Sequence, residues 1–418
     1  MSNSEQEQPV FGEVGIVALV PDRFAGAWQP RHQVMTRLAR YFPVVWVEPA
    51  RSWREKLPNS PSRTGASASM GAPAPSGLMV VDPSRRYPKF HRPAWLGELT
   101  ARARMRSAVR ELRSAGCRRV VLYLWRPGFS SDLDRVEHDV SCYHIDDEYS
   151  FSPSDVPLSA LEASLLDRVD QVFIHSPALM EKKGALNPNT SFVPNGVAYE
   201  QFATPVPEPA DLAAVPHPRV GYVGFLKKQL DWELLDQLSR RHPKWSFVFV
   251  GPRHEHPEIQ RVLAAMETRK NVHFLGGKPV TELGAYPQHF DVSILPYVVD
   301  DYTRYINPLK LYEYLAAGPP VVGSPIRTLQ DFEEVVDLAS GAEEWSGALA
   351  RALGREANSP ERVEARREIA RRYDWDRLVH GIARDLVGHL GGAVEGRLDA
   401  AVPEPAGLDR RPRAAVDG

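Results

Sequence analysis

Short, nearly unbroken apolar runs alternate along this chain with segments whose apolar positions recur at three- and four-residue intervals. The first run is "VGIVALV" (14–20), and "RHQVMTRLARYF" (31–42) follows it with Val34, Leu38 and Tyr41 or Phe42 at helical spacing. "PVVWVEP" (43–49) is the next run. A strand with no polar alternation is covered on both faces, as the strands of parallel sheets are, so the repeating order of strand, helix and strand predicts parallel α/β layers.

The pattern continues with "RSAVRELRSAGCRRVVLYLW" (106–125), an amphipathic helix, a stop at Gly116 and a strand. "VSCYHIDDEYSF" (140–151) reads as a strand running into a polar loop. "VDQVFIHSPALMEKK" (169–183) reads as a strand, a Ser176 cap with Pro177 at the first helical position, and a helix. An Asn-Gly turn in "VPNGVAYEQF" (193–202) and the Pro-rich "TPVPEPADLAAVPHP" (204–218) then interrupt the alternation, which marks a domain boundary. It restarts with "RVGYVGF", "WSFVFVGP", "NVHFLGG", "DVSILPY" and "PPVVGSP", and ends in helical segments over 342–353 and 360–390. Residues 55–78, rich in Ser, Pro, Ala and Gly, are expected to form a flexible loop, and the Gly, Ala, Pro and Arg content from 391 to 418 predicts a disordered tail.

Composition narrows the function classes. The 418 residues carry 43% hydrophobic and 25% charged side chains, enough for two cores, with a formal net charge of −2. No overall basic field calls for nucleic acid, and no nucleic-acid-binding signature appears. Cys117 and Cys142 lack the spacing of a zinc site or a disulfide framework, consistent with a reducing cytoplasm. The opening "MSNSEQEQPV" is polar and acidic, unlike a signal peptide, and no apolar run is long enough to span a bilayer.

The chemistry concentrates in "YINPLKLYEYLAAGPPVV" (305–322). Asn307 suits a helix cap, Pro308 the first helical position and Gly318 the left-handed residue after the last turn, which predicts a helix over 308–317. Lys310 and Glu313 then fall about 60° apart on one face. Free N–H groups at the helix start and the Lys310 charge suit a phosphate, and Glu313, one turn deeper, suits a vicinal diol such as a ribose. The simpler reading is a surface Lys/Glu pair worth a few tenths of a kcal/mol. Its place after a strand end of a parallel sheet, where ligands gather, favours the nucleotide.

With "VPNGVAYEQF", "GYVGFL", "FVFVGP" and "NVHFLGGKPVTEL" upstream of it, "NPLKLYEYLAAGPPVV" resembles the donor-binding half of the GT-B glycosyltransferases. The similarity is to the group related to bacterial family 4 and to glucuronosyltransferase-like enzymes of exopolysaccharide assembly. It is strong over 167–390 and thinner before that. It implies two Rossmann-like parallel-sheet domains facing across a cleft: an acceptor-side domain over 1–195, a nucleotide-sugar-binding domain over 196–375, and a helix over 376–390 crossing back. It also implies that Glu313 holds the donor ribose and that Asn307, Pro308 and Lys310 lie by the diphosphate and the transferred sugar. Many relatives carry a second glutamate eight positions before the first; here that position is Tyr305.

Further candidates follow from this frame. Gly224, Lys227 and Lys228 in "GYVGFLKK" are expected at the diphosphate, and Gly277 in "LGGKP" beside the nucleobase; a solvated dilysine and plain turn chemistry are the alternatives. GxGxxG is absent after the first strand, which disfavours a dinucleotide dehydrogenase. Transfer to a hydroxyl needs a general base, for which "YHIDDEY" supplies His144, Asp146, Asp147 and Glu148 at a strand end. Arg31 and His32 in "WQPRHQ" are placed on the acceptor side. Arginines and lysines between 85 and 119, interleaved with Phe90, Trp95 and Leu96, suit peripheral contact with an anionic membrane from the cytoplasmic face, or simply a solvated helix. No metal or cofactor is expected beyond a nucleoside-diphosphate sugar as donor, and the acceptor is a carbohydrate or lipid-linked carbohydrate of envelope or exopolysaccharide synthesis. A nucleotide-sugar epimerase and a non-catalytic sugar-nucleotide binding module are the rival readings.

Overall fold

In the computed structural model of the protein, residues 8–26, 28–51, 74–150, 158–254, 257–391, 394 and 396–398 are described. The apolar runs form two sheets in which every strand pairing is parallel. The first sheet contains β1 (Val14–Leu19), β2 (Val44–Val47), β3 (Leu78–Val81), β4 (Arg119–Leu124), β5 (Val140–Ile145), β6 (Gln171–Ile174) and β7 (Thr190–Phe192). The second contains β8 (Arg219–Val223), β9 (Ser246–Val250), β10 (Val272–Gly276), β11 (Val292–Leu295), β12 (Val321–Gly323) and β13 (Val336–Leu338). Their orders are β3-β2-β1-β4-β5-β6-β7 and β10-β9-β8-β11-β12-β13. This is the pair of Rossmann-like domains expected above.

The continuous apolar runs have a direct packing consequence. Side chains alternate across a strand, so Val14, Ile16 and Ala18 of β1 enter one core while Val17 and Leu19 enter another on the opposite face. In each sheet the strand order reverses beside the first strand, between β1 and β4 and between β8 and β11. Outside the carboxyl ends at such a reversal the crossover helices diverge and leave a crevice. The helix Leu309–Ala317 leads from β11 into β12, so the second crevice is its own.

The chain passes between the domains twice. Val197 N–H donates to the Tyr373 carbonyl at 2.9 Å and Trp375 N–H to the Val197 carbonyl at 3.0 Å, so the two crossings are bonded to each other. Beyond them the helix Trp375–Gly388 returns to the first domain and buries Trp375, Val379, Ile382, Ala383, Leu386 and Val387 in the core that contains Val14, Ile16 and Trp46. Most of the loop expected over 55–78 lies outside the described residues, although Leu78 opens β3. The tail differs from expectation in the part that is described: Leu398 is buried in that same first-domain core, and Arg397 donates to Glu13 at 2.5 Å. No helix among the described residues is long and apolar enough to cross a membrane.

Candidate active site

The helix Leu309–Ala317 ends as its sequence dictates, with Gly318 at φ 104° and its N–H on the Tyr314 carbonyl at 3.0 Å. Its start is different from the expected one. Pro308 is the N-cap, in extended conformation, and no side chain caps the helix; of its first N–H groups, that of Leu311 is taken by the Pro308 carbonyl at 3.0 Å. The Asn307 side-chain amide instead donates to the His175 carbonyl of the first domain at 2.5 Å, and the Asn307 backbone carbonyl accepts from the Asn195 side chain at 2.7 Å. Asn307 therefore fastens the helix entry to the domain junction.

Three neighbouring strands end in glycines with left-handed backbone: Gly224 after β8 (φ 143°), Gly251 after β9 (φ 149°) and Gly276 in β10 (φ 72°). A Cβ on Gly224 would lie 1.9 Å from Cε of Lys310, and one on Gly251 would lie 2.0 Å from the Gly224 carbonyl oxygen. These glycines thus let the backbone lie flat beneath the Lys310 side chain. Gly277, next along the edge, is exposed beside Pro252.

Lys310 and Glu313 share this floor. The ammonium sits 5.6 Å from the ring centre of Tyr222, and Tyr222, Tyr297 and Tyr314 surround the carboxyl. Both groups keep partial access to solvent, yet neither makes a hydrogen bond or ion pair with a described residue. Burial raises the Glu313 carboxyl to about 7 against the attraction of Lys310, and burial also lowers Lys310. Lys227 is half-buried and lowered to about 8 by burial and by repulsion from Lys310, while Lys228 is exposed. Two enclosed cations and a carboxyl that make no ion pair among the described residues can together meet a polar ligand of mixed character.

Across the cleft, the loop after β5 separates its acids. Asp146 is paired with buried Arg31, which also donates to Asp22 at 2.6 Å, and accepts from the Tyr149 hydroxyl. Glu148 is buried between Lys182 (2.9 Å) and Lys183 (2.7 Å), and Lys183 also binds Glu162 at 2.8 Å. Asp147 alone is left toward the second domain: it is half-buried, raised above the usual carboxylate range by burial, bonded to the Tyr302 hydroxyl and attracted by Arg126 and Lys227.

Three expected site residues take other places. His144 is 3% exposed, stacked on Trp125 with centroids 4.2 Å apart, and its Nδ1 meets the Tyr123 hydroxyl at 2.8 Å. Strand alternation directs it to the same side as Cys142, into an aromatic core, and burial holds its basicity well down. His32 is fully buried between Trp28 and Trp46, and its Nδ1 accepts the Gln29 N–H in a capping box at the start of helix Pro30–Leu38. Arg31 is engaged by Asp22 and Asp146, while His32 Nε2 is buried without a hydrogen-bond partner among the described residues. Tyr305, in the place of the missing glutamate, packs on the first-domain core with Lys182 5.3 Å over its ring. Arg126, Tyr302 and Gly251 join the site in addition to the residues expected from sequence. Only Gly251 had a signal, the strand-then-glycine pattern of "FVFVGP" that repeats "GYVGF".

Known proteins resemble the chain in its fold and in the sequence of its second domain. Residues 217–355 match the family of glycosyl transferases group 1. TuaH of Bacillus subtilis (strain 168), named as a glycosyltransferase of teichuronic acid biosynthesis, is 28% identical over 237 residues, 54% of this chain. The match spans 59% of that relative's length. Among solved structures, a trehalose-6-phosphate structure from E. coli bound with UDP-2-fluoro glucose superposes with TM-score 0.60 at 14% identity, over 89% of this chain and 98% of that one. An α,α-trehalose-phosphate synthase (UDP-forming) from Burkholderia vietnamiensis gives 0.58 at 15% identity, over 89% and 98%. The chain therefore has the GT-B fold, and its second domain is the one that matches the group 1 glycosyl transferases.

Proposed function

We propose that this protein transfers a glycosyl group from a nucleoside-diphosphate sugar to a hydroxyl of a carbohydrate or lipid-linked carbohydrate, in the assembly of an envelope or exopolysaccharide glycan. The observation that carries this reading is the Lys310/Glu313 pair, without a hydrogen bond or ion pair among the described residues, on a glycine floor at a strand-order reversal. A diphosphate would take Lys310, Lys227 and the N-terminus of helix Leu309–Ala317, which no side chain caps, and a ribose diol would take Glu313. In the reaction the bond from the anomeric carbon to the diphosphate oxygen breaks and one to the acceptor oxygen forms. Asp147 is placed to receive the acceptor proton, since a carboxylate with raised basicity is the better base, while the lysines hold the charge left on the diphosphate.

Asp147 fits this role better than Asp146 because Arg31 already neutralises Asp146. The named role of TuaH in teichuronic acid biosynthesis supports a glycan product, and the bound UDP-sugar of the E. coli neighbour supports a uridine nucleotide as the first probe. Calorimetry with UDP tests the donor half. Glu313→Ala and Lys310→Ala should each weaken binding roughly ten- to hundredfold, the value of a hydrogen bond to a charged group. Asp147→Asn should retain UDP binding and lose transfer. Undiminished UDP affinity in both alanine variants would refute the donor site.

A further inference from the structure

The helix Ala94–Ser114 covers β1 and β2 with Ala101, Met105, Ala108 and Leu112; toward solvent, Glu98 pairs with Arg102 and Arg135 and Arg113 donates to the Cys117 carbonyl at 3.1 Å, while no described element packs over the rest. That outer side has a definite order. Trp95, Leu99, Arg102, Arg106, Arg110 and Arg113 are all exposed, and at 3.6 residues per turn they fall within an arc of roughly 80°. Trp95 is 67% and Leu99 56% exposed, among the most exposed large apolar side chains described. The stripe thus has an apolar end and a basic length of several turns.

Its direction is fixed by the fold. The segment before the helix is tied to the carboxyl edge of the sheet, with Lys89 N–H on the Arg51 carbonyl at 2.8 Å and Arg104 on the Tyr87 carbonyl at 3.2 Å. The segment after it meets the amino edge, where Arg118 N–H donates to the Glu13 carbonyl at 2.7 Å. Trp95 and Leu99 therefore lie on the side of the domain where the cleft opens, and the arginines run away from it. Arg102 pairs with Glu98 at 2.8 Å, while Arg106 and Arg110 form no ion pair among the described residues. Arg86, Lys89 and Arg92, just before the helix, are exposed as well.

We propose that this face docks on an anionic lipid bilayer, with Trp95 and Leu99 entering the headgroup layer and the arginines lying against lipid phosphates. The charge is complementary, and it is local, because the chain as a whole carries −2. An indole at the end of a basic surface suits the boundary between lipid and water. The side of a single helix is convex and extended over roughly 30 Å, a shape that matches a planar sheet of charge better than the groove a folded acidic partner needs. This inference does not depend on the reading of the cleft. Under that reading, it brings the cleft mouth to the surface from which a lipid-linked acceptor is drawn.

The test is co-sedimentation of the full chain with phosphatidylcholine vesicles, with and without phosphatidylglycerol. Binding should require phosphatidylglycerol and be released by salt. Arg106→Glu/Arg110→Glu should weaken it at least about twentyfold, taking roughly fivefold for each arginine lost. Trp95→Ala/Leu99→Ala should weaken it further at high salt, and brominated lipid should quench less tryptophan fluorescence in this variant. Unchanged melting temperatures in both variants would show that the fold is intact. Equal binding to both vesicle types, equal binding by the charge-reversed protein, or retention on heparin without vesicle binding would each overturn the proposal.

Discussion

An ionisable group enclosed without a partner destabilises the folded chain in its charged form, and Glu313 shows the cost as a carboxyl raised to about 7 by burial. The folded state binds more protons than the unfolded one between the ordinary value of 4.5 and about 7, so this residue makes stability fall as pH rises through that window. Glu313→Gln keeps the shape and removes the charge. It should raise the melting temperature at pH 8, lose that advantage below the ordinary carboxylate range, and weaken UDP binding; equal melting curves at pH 8 would disprove the account. Glu313 is thus held against the interest of stability, as a side chain kept for binding would be. Which residues behave so was partly legible. The spacing of Lys310 and Glu313 between a Pro start and a Gly stop fixes their common face. The choice between Asp146 and Asp147 was not legible, because it depends on what Arg31, 115 positions away, is paired with. His32 and His144 looked available because sequence gives a residue's type, while Trp46 against His32 and Trp125 against His144 are brought there by the pairing of the sheet.

Among elements, the strand ends decide how closely a ligand approaches. Gly224 has a positive φ and lies beneath the Lys310 stem, so two independent requirements exclude a Cβ there. Gly224→Ala should cost about 1–3 kcal/mol in backbone strain, and it should also displace Lys310 and reduce UDP affinity. Calorimetry and denaturant unfolding read the two effects separately, and a variant as stable and as tight-binding as the parent would contradict the floor described here. The alternation of apolar runs and helical spacing made the elements themselves readable, and "GYVGF" and "FVFVGP" placed glycines at their ends. That those glycines stack on one another beneath a lysine from a third segment is a tertiary fact with no local signal. Asn307 is the converse case: its cap-like position before Pro308 is locally persuasive, yet the His175 carbonyl of the other domain takes its amide.

At the level of the whole molecule, the first domain is not a contiguous piece of chain. The helix Trp375–Gly388 arrives after the entire second domain and completes the core beneath β1, β2 and β4. Residues 1–195 alone should therefore expose the apolar face that Val379, Ile382, Leu386 and Val387 cover, and should aggregate rather than run as a monomer in size-exclusion chromatography. A soluble, cooperatively unfolding fragment would show that the returning helix is dispensable. The amphipathic pattern over 360–390 announced this helix, but its destination depends on which apolar face the first-domain sheet leaves open.

The same return puts two chain passages side by side, laced through Val197 by its bonds to Tyr373 and Trp375. A lone tether would let the lobes drift in any direction; a double strap resists sliding and leaves rocking as the easy movement. Any opening of the cleft would then resemble a jaw swinging on a fixed pin, with Lys227 and Asp147 carried on opposite halves of it.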